Sequence, residues 1–157
     1  MSEGTLFFYL IIYLITTFGI FAVILNLRSQ DGEITKINDL NGLRFNSRPK
    51  AIAFLVFLFS LAGIPPFAGF FAKFFILSAS INEGLYLLSF IAVASSVIAA
   101  FYYLSIIKNM FFNEPKIELL LDNNKVSSLI FLIAALSITL FFFYPDPLIN
   151  LVDNLFS

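Results

Sequence analysis

Cysteine, histidine and tryptophan are absent from these 157 residues. Without thiolate or imidazole the chain can build no Cys or His metal site, no iron–sulfur or haem ligation, no disulfide and no Ser-His or Cys-His nucleophilic pair. Charge is scarce as well. Charged residues make up 12% of the chain and the formal net charge is −1, which leaves no basic footprint for nucleic acid. Chemistry in this chain is therefore expected to use Lys, carboxylates, hydroxyls or water, with no bound metal and no cofactor. What is abundant is apolar. Hydrophobic residues reach 60%, with 22 Phe among them, where a soluble domain carries about 45 to 50% apolar residues. A particle of this size cannot hide that much apolar surface from water, so the expected solvent is lipid.

The apolar residues fall into four runs. Residues 5–27 contain no charge and, at about 1.5 Å per residue, reach across a hydrocarbon core of about 30 Å. Met1, Ser2, Glu3 and Gly4 before them lack the positive region of a signal peptide. A polar loop over 28–50, with Asp31-Gly32 as a turn signal, leads to a second run over 51–82 that is interrupted by Lys73 and by Gly63-Ile64-Pro65-Pro66. Glu83-Gly84 separates it from a third run over 85–107. A second polar loop over 108–125 precedes a fourth run over 126–144, stopped by Pro145-Asp146-Pro147. Leu148, Leu151, Val152 and Leu155 then share one helical face, which predicts a short interfacial segment over 148–157. The expectation is an all-α integral membrane protein, residues 1–157 as one membrane domain with four transmembrane helices, the second broken at Pro65-Pro66.

The basic residues orient this bundle. Arg28, Lys36, Arg44, Arg48 and Lys50 lie in the first loop and Lys108, Lys116 and Lys125 in the second; only Lys73 lies elsewhere. By the excess of Lys and Arg on the cytoplasmic or matrix side, both loops face that side and both termini the other.

The second run carries the most information. A straight helix over 51–82 would be about 48 Å long, and Pro65-Pro66 removes two backbone donors near its middle. Breaks at membrane depth are tolerated where the freed backbone groups meet protein or water, and they recur at transporter ion sites. Lys73 follows the break at a depth where an ammonium costs about 2.5 to 3.5 kcal/mol unless it is solvated, paired or neutral. Pro66, Gly69, Lys73 and Ser80 share a small or polar face, leaving room for water. The bland alternative is an amine that snorkels or pairs structurally. Gly63 and Gly69 fit backbone permissiveness at the break rather than a phosphate loop. Tyr9, Tyr13 and Thr16 in the first span, with Ser96 and Tyr103 in the third, are candidate channel-lining hydroxyls together with Ser80; ordinary helix packing is the alternative for each. Glu83 reads as solvated surface.

The segment Phe59-Ser-Leu-Ala-Gly-Ile-Pro-Pro-Phe-Ala-Gly-Phe-Phe-Ala-Lys-Phe74 closely resembles the broken twelfth helix of the subunit 2 family of respiratory complex I, NADH:ubiquinone oxidoreductase, called subunit N in bacteria. Residues 8–22 resemble that family's eleventh helix, and Ala100-Phe-Tyr-Tyr-Leu-Ser-Ile-Ile-Lys108 the end of its thirteenth. The related subunit 4 usually has glutamate where Lys73 stands. The resemblance implies an antiporter-like, proton-translocating membrane subunit with Lys73 as the proton-relay residue. It also implies flavin, iron–sulfur clusters and quinone in other subunits, with no redox centre in this chain.

Only the last helices of such a subunit are represented. The resemblance implies a partner chain carrying the N-terminal helices, contact with other membrane-arm subunits and with lipid, and a split mitochondrial gene as the source. The expected location is the mitochondrial inner membrane with both termini on the intermembrane-space side; a bacterial inner membrane or a thylakoid is the alternative home. A subunit of a multisubunit cation/proton antiporter and a purely structural membrane subunit are the competing functional readings.

Overall fold

The computed structural model describes residues 3–29, 32–115, 119–121 and 125–140. Helix α1 spans Glu3–Leu25 and strand β1 Leu27–Ser29, paired with β2 at Gly32–Glu33. A 3-10 turn at Ile37–Leu40 and the short helix α2, Leu43–Asn46, lead into α3 at Arg48–Ala62. Helix α4 is Ala68–Asn82, α5 Tyr86–Phe112, β3 Leu119–Leu121 and α6 Lys125–Leu140.

Two of these helices, through Gly4–Leu25 and Tyr86–Phe112, are long and apolar enough to cross a membrane, and Ala68–Asn82 and Leu129–Thr139 are shorter apolar helices. The interfacial segment expected over 148–157 and the Pro145-Asp146-Pro147 stop lie outside the described residues.

The connection between α3 and α4 follows from local chemistry. Gly63 ends α3 in the left-handed region at φ 77°, a conformation that costs a side-chain-bearing residue far more. Its N–H donates to the Ser60 carbonyl and that of Ile64 to Phe59, both at 3.0 Å, so part of the open helix end is closed by its own chain. Pro65 and Pro66 offer no N–H to continue the ladder. The Phe67 N–H donates to the Ile64 carbonyl, and helix resumes at Ala68. At the far end of α4, Gly84 at φ 76° turns the chain directly into α5.

Helix α3 is the centre of the packing and touches α1, α2, α4, α5 and α6. Its Ala51, Ala53, Phe54, Phe57 and Leu58 are buried in the core with Phe8, Ile12 and Val23 of α1, Ala68 and Ala72 of α4, and Phe131, Ala135 and Ile138 of α6. Helix α1 approaches closely because Gly19 faces Phe57: a Cβ there would lie 2.6 Å from the ring.

The connecting segments depart from the expectation in two ways. They are not irregular throughout, and the fold is not purely helical: β1 pairs antiparallel with both β2 and β3 in a three-stranded sheet of order β2-β1-β3, joining the two loops. Where two connectors emerge side by side at one end of a bundle, pairing their backbones satisfies groups that neither could satisfy alone. In addition, α3 begins at Arg48, with Pro49 in its first turn where a missing N–H costs nothing, so Lys50 belongs to the helix rather than to the loop. Lys50 is 1% exposed, and its Nζ donates to Asn26 Oδ1 at 2.6 Å and to the Asn26 carbonyl at 3.3 Å, just past the end of α1.

Candidate functional site

The site is built where α3 stops and α4 starts. Each helix end leaves backbone groups without intrahelical partners. The Lys73 ammonium, on α4, donates to the Leu61 carbonyl in the last turn of α3 at 2.8 Å. A cation at a helix C-terminus is favoured by the partial negative charge of its carbonyls. In the other direction the Gly69 N–H, in the first turn of α4, donates to Ser60 Oγ of α3 at 3.1 Å. The two helices therefore exchange one bond each way, and the Phe59 and Phe67 rings, 5.7 Å apart, pack across the turn. Two glycines permit the approach. A Cβ on Gly69 would run into the Ser60 carbonyl, and one on Gly63 would sit 3.1 Å from Lys73 Cδ.

Lys73 is half-buried and faces a cavity of about 260 Å³. Of the residues singled out in the sequence, Tyr9, Tyr13 and Thr16 of α1, Gly69 of α4, and Ser96 and Tyr103 of α5 line this same cavity with Lys73. The Tyr9 and Tyr13 rings stack at 6.1 Å. Ser80 lies in a neighbouring cavity of about 310 Å³ that shares Tyr9, Lys73 and Ser96 with the first; there Ser89 Oγ donates to Ser80 Oγ at 2.8 Å. Gly63, Pro65 and Pro66 are in the turn and line neither cavity. A third cavity of about 330 Å³ shares Tyr13, Leu61 and Tyr103 and extends to Thr35, Lys36 and Leu40 of the first loop. Among the described residues no carboxylate lines any of the three. Glu83 is exposed in the turn between α4 and α5.

Sequence reasoning passes over three participants. Ser60 is the one hydroxyl within α3, isolated in an apolar helix and nine residues before Gly69, and that isolation is the available signal. Ser95, which joins Ser96 on the cavity wall, carries only the signal of a paired serine. The Leu61 carbonyl carries none, because every residue has one.

The class of protein is a mostly helical one in which apolar helices, two of them long enough to cross a membrane, are arranged around hydroxyls and an amine. Residues 1–99, which include the α3–α4 turn and Lys73, match the family described as NADH:quinone oxidoreductase/Mrp antiporter, TM, and the chain belongs to that family. It is 44% identical over 142 residues to the NADH-quinone oxidoreductase subunit N of Rhodospirillum rubrum, a match covering 90% of this chain and 29% of that protein. It is 40% identical over 149 residues to the NADH-ubiquinone oxidoreductase chain 2 of Oenothera berteroana, covering 93% of this chain and 30% of that one. Among solved structures, a chain of respiratory complex I from Thermus thermophilus with bound aureothin superposes with a TM-score of 0.82 at 25% identity, over 94% of this chain and 34% of that chain. The chain thus spans about a third of the length of the relatives it matches.

Proposed function

We propose that this chain is the C-terminal part of a proton-translocating, antiporter-like membrane subunit of NADH:quinone oxidoreductase, with Lys73 as a protonatable station. The observation that carries the reading is the Lys73 ammonium bonded to the Leu61 carbonyl at the helix interruption, in a cavity walled by Tyr9, Tyr13, Thr16, Ser96 and Tyr103. An amine held there can receive a proton through water and hydroxyls on one side and release it on the other. The helix-end carbonyl offsets part of the cost of its charge. Because the cavities offer no carboxylate among the described residues, the charge that loads and unloads Lys73 comes from outside them.

In the membrane the chain makes four crossings: three over 5–27, 51–82 and 85–107, and a fourth that begins at 126. The α3–α4 pair forms the second, interrupted crossing, and the Arg- and Lys-bearing loops lie on the matrix or cytoplasmic side. The remaining two thirds of the relatives' length corresponds to further helices that complete the subunit, alongside other membrane-arm subunits. NADH oxidation and quinone reduction, with their flavin and iron–sulfur clusters, belong to other subunits. The inner mitochondrial membrane is the proposed home. The family also includes cation/proton antiporters, but the similarity to oxidoreductase subunits of Rhodospirillum rubrum and Oenothera berteroana favours the respiratory reading.

The test is made in the assembled complex reconstituted into sealed vesicles, with NADH and quinone. A guanidinium keeps its proton throughout the physiological pH range, whereas a lysine amine can lose its own. Lys73→Arg and Lys73→Ala are both expected to lower the proton-to-electron ratio by similar amounts while electron transfer continues. Normal coupling in Lys73→Arg would leave Lys73 as a structural cation.

A further inference from the structure

We propose that Ser60 is a positioning residue for Lys73: its hydroxyl bolts the start of α4 to the end of α3 so that the Leu61 carbonyl stays presented to the Lys73 amine. The inference rests on the reading of Lys73 as the working amine of the site. Ser60 and Leu61 are consecutive on α3, and Gly69 and Lys73 are one turn apart on the same face of α4. The Gly69–Ser60 and Lys73–Leu61 bonds are therefore neighbouring rungs between the same two helices, and a shift in the first moves the acceptor of the second. The backbones at the first rung are so close that only glycine fits at position 69.

The hydroxyl's own proton completes the bolt. Thr16 Oγ1 gives its single proton to the Ile12 carbonyl at 2.7 Å. In its 3.5 Å contact with Ser60 Oγ, Thr16 is therefore the acceptor and Ser60 the donor. Ser60 thus accepts from Gly69 and donates to Thr16, which holds its rotor and ties α4, α3 and α1 together, with Ser60 and Thr16 each 1% exposed. The chain of bonds ends on the Ile12 backbone carbonyl and not on a titratable group. It orients and does not carry a proton onward.

The experiment measures reductive methylation of lysines by formaldehyde and cyanoborohydride in the assembled complex, as a function of pH, with quantification by mass spectrometry. Ser60→Ala is expected to raise the methylation rate of Lys73 about fivefold, as for loss of one ordinary hydrogen bond, and to move its pH profile. Lys50, which is buried elsewhere among the described residues and has its own bonds to Asn26, is the internal control and is expected not to change. An unchanged Lys73 rate, or an equal rise at Lys50, would overturn the inference, the second by showing general loosening. If Ser60→Ala does not assemble, Thr16→Val takes its place. It removes the acceptor of the Ser60 proton and is expected to raise the Lys73 rate less but selectively; no selective rise overturns the inference. Proton pumping is followed in the same vesicles. A Lys73→Ala complex that pumps normally removes the proton-station reading alone, and a selective rise in Lys73 methylation still upholds the positioning role of Ser60.

Discussion

Helices α3 and α5 are both strongly apolar, yet they live in opposite surroundings. Along α3, Ala51, Ala53, Phe54, Phe57, Leu58 and Ser60 are buried. Along the longer α5 only Ser89, Ile107 and Met110 are, while Phe90 and Phe101 are each 72% exposed and Phe112 78%. In water such an exposed surface would drive association or aggregation. In lipid it carries no such penalty, because the acyl chains are as apolar as the side chains. Apolarity therefore cannot tell an inside helix from an outside one here. What separates them is fit: Gly19 opens a seat for Phe57, and the glycines at 63 and 69 let α4 close against α3, whereas α5 offers bulky residues on most of its surface.

Substitution should break this contrast if it is wrong. The largest effect is expected from Phe57→Ala, which empties a fully buried ring position and should cost about 3 to 5 kcal/mol; the check is loss of assembled complex on thermal challenge, read by native electrophoresis. Lys50→Met comes next. It removes a buried, charge-assisted bond to Asn26, an interaction worth about 1.5 to 3 kcal/mol, while the same change at exposed Lys36 should leave the melting profile in place. Gly19→Ala drives a methyl into the Phe57 ring and should lower stability by about 1 to 3 kcal/mol, relieved when combined with Phe57→Leu. The smallest change belongs to Phe101→Ala on α5, within about 0.5 kcal/mol. A loss at Phe101 as large as that at Phe57 would mean that α5 is packed as tightly as α3 in the assembled protein.

Part of the site is legible in the order of residues alone. Two consecutive prolines after a glycine end a helix because two N–H donors are lost, the rings crowd the preceding turn and the residue before each proline is driven out of the helical region, and a lysine among phenylalanines is conspicuous because its charge is costly. The hydroxyls Tyr9, Tyr13, Thr16, Ser96 and Tyr103 are readable as helical stripes, and they meet at one cavity because helical spacing decides which residues of each helix share a face. Lys50 is not legible in the same way. It counts with the loop charges by its position, yet it is buried against Asn26, since composition along the chain cannot say on which side of a helix start a residue's partner waits. The small sheet joining the loops escapes for a related reason: strands of two and three residues have no period to detect.

Sequence by itself determined that this chain belongs in lipid, where its apolar runs begin and pause, and which residues are chemically expensive there. Those are properties of single residues and of spacing along one helix. Tertiary structure alone decided that α3 is enclosed and α5 exposed, that Ser60 receives Gly69 and stands against the Thr16 hydroxyl, and that the Leu61 carbonyl receives Lys73. Each of these depends on how closely two helix axes approach. That distance is set by pairs of side chains far apart in sequence, such as Gly19 and Phe57, and by backbone carbonyls that no residue name reveals.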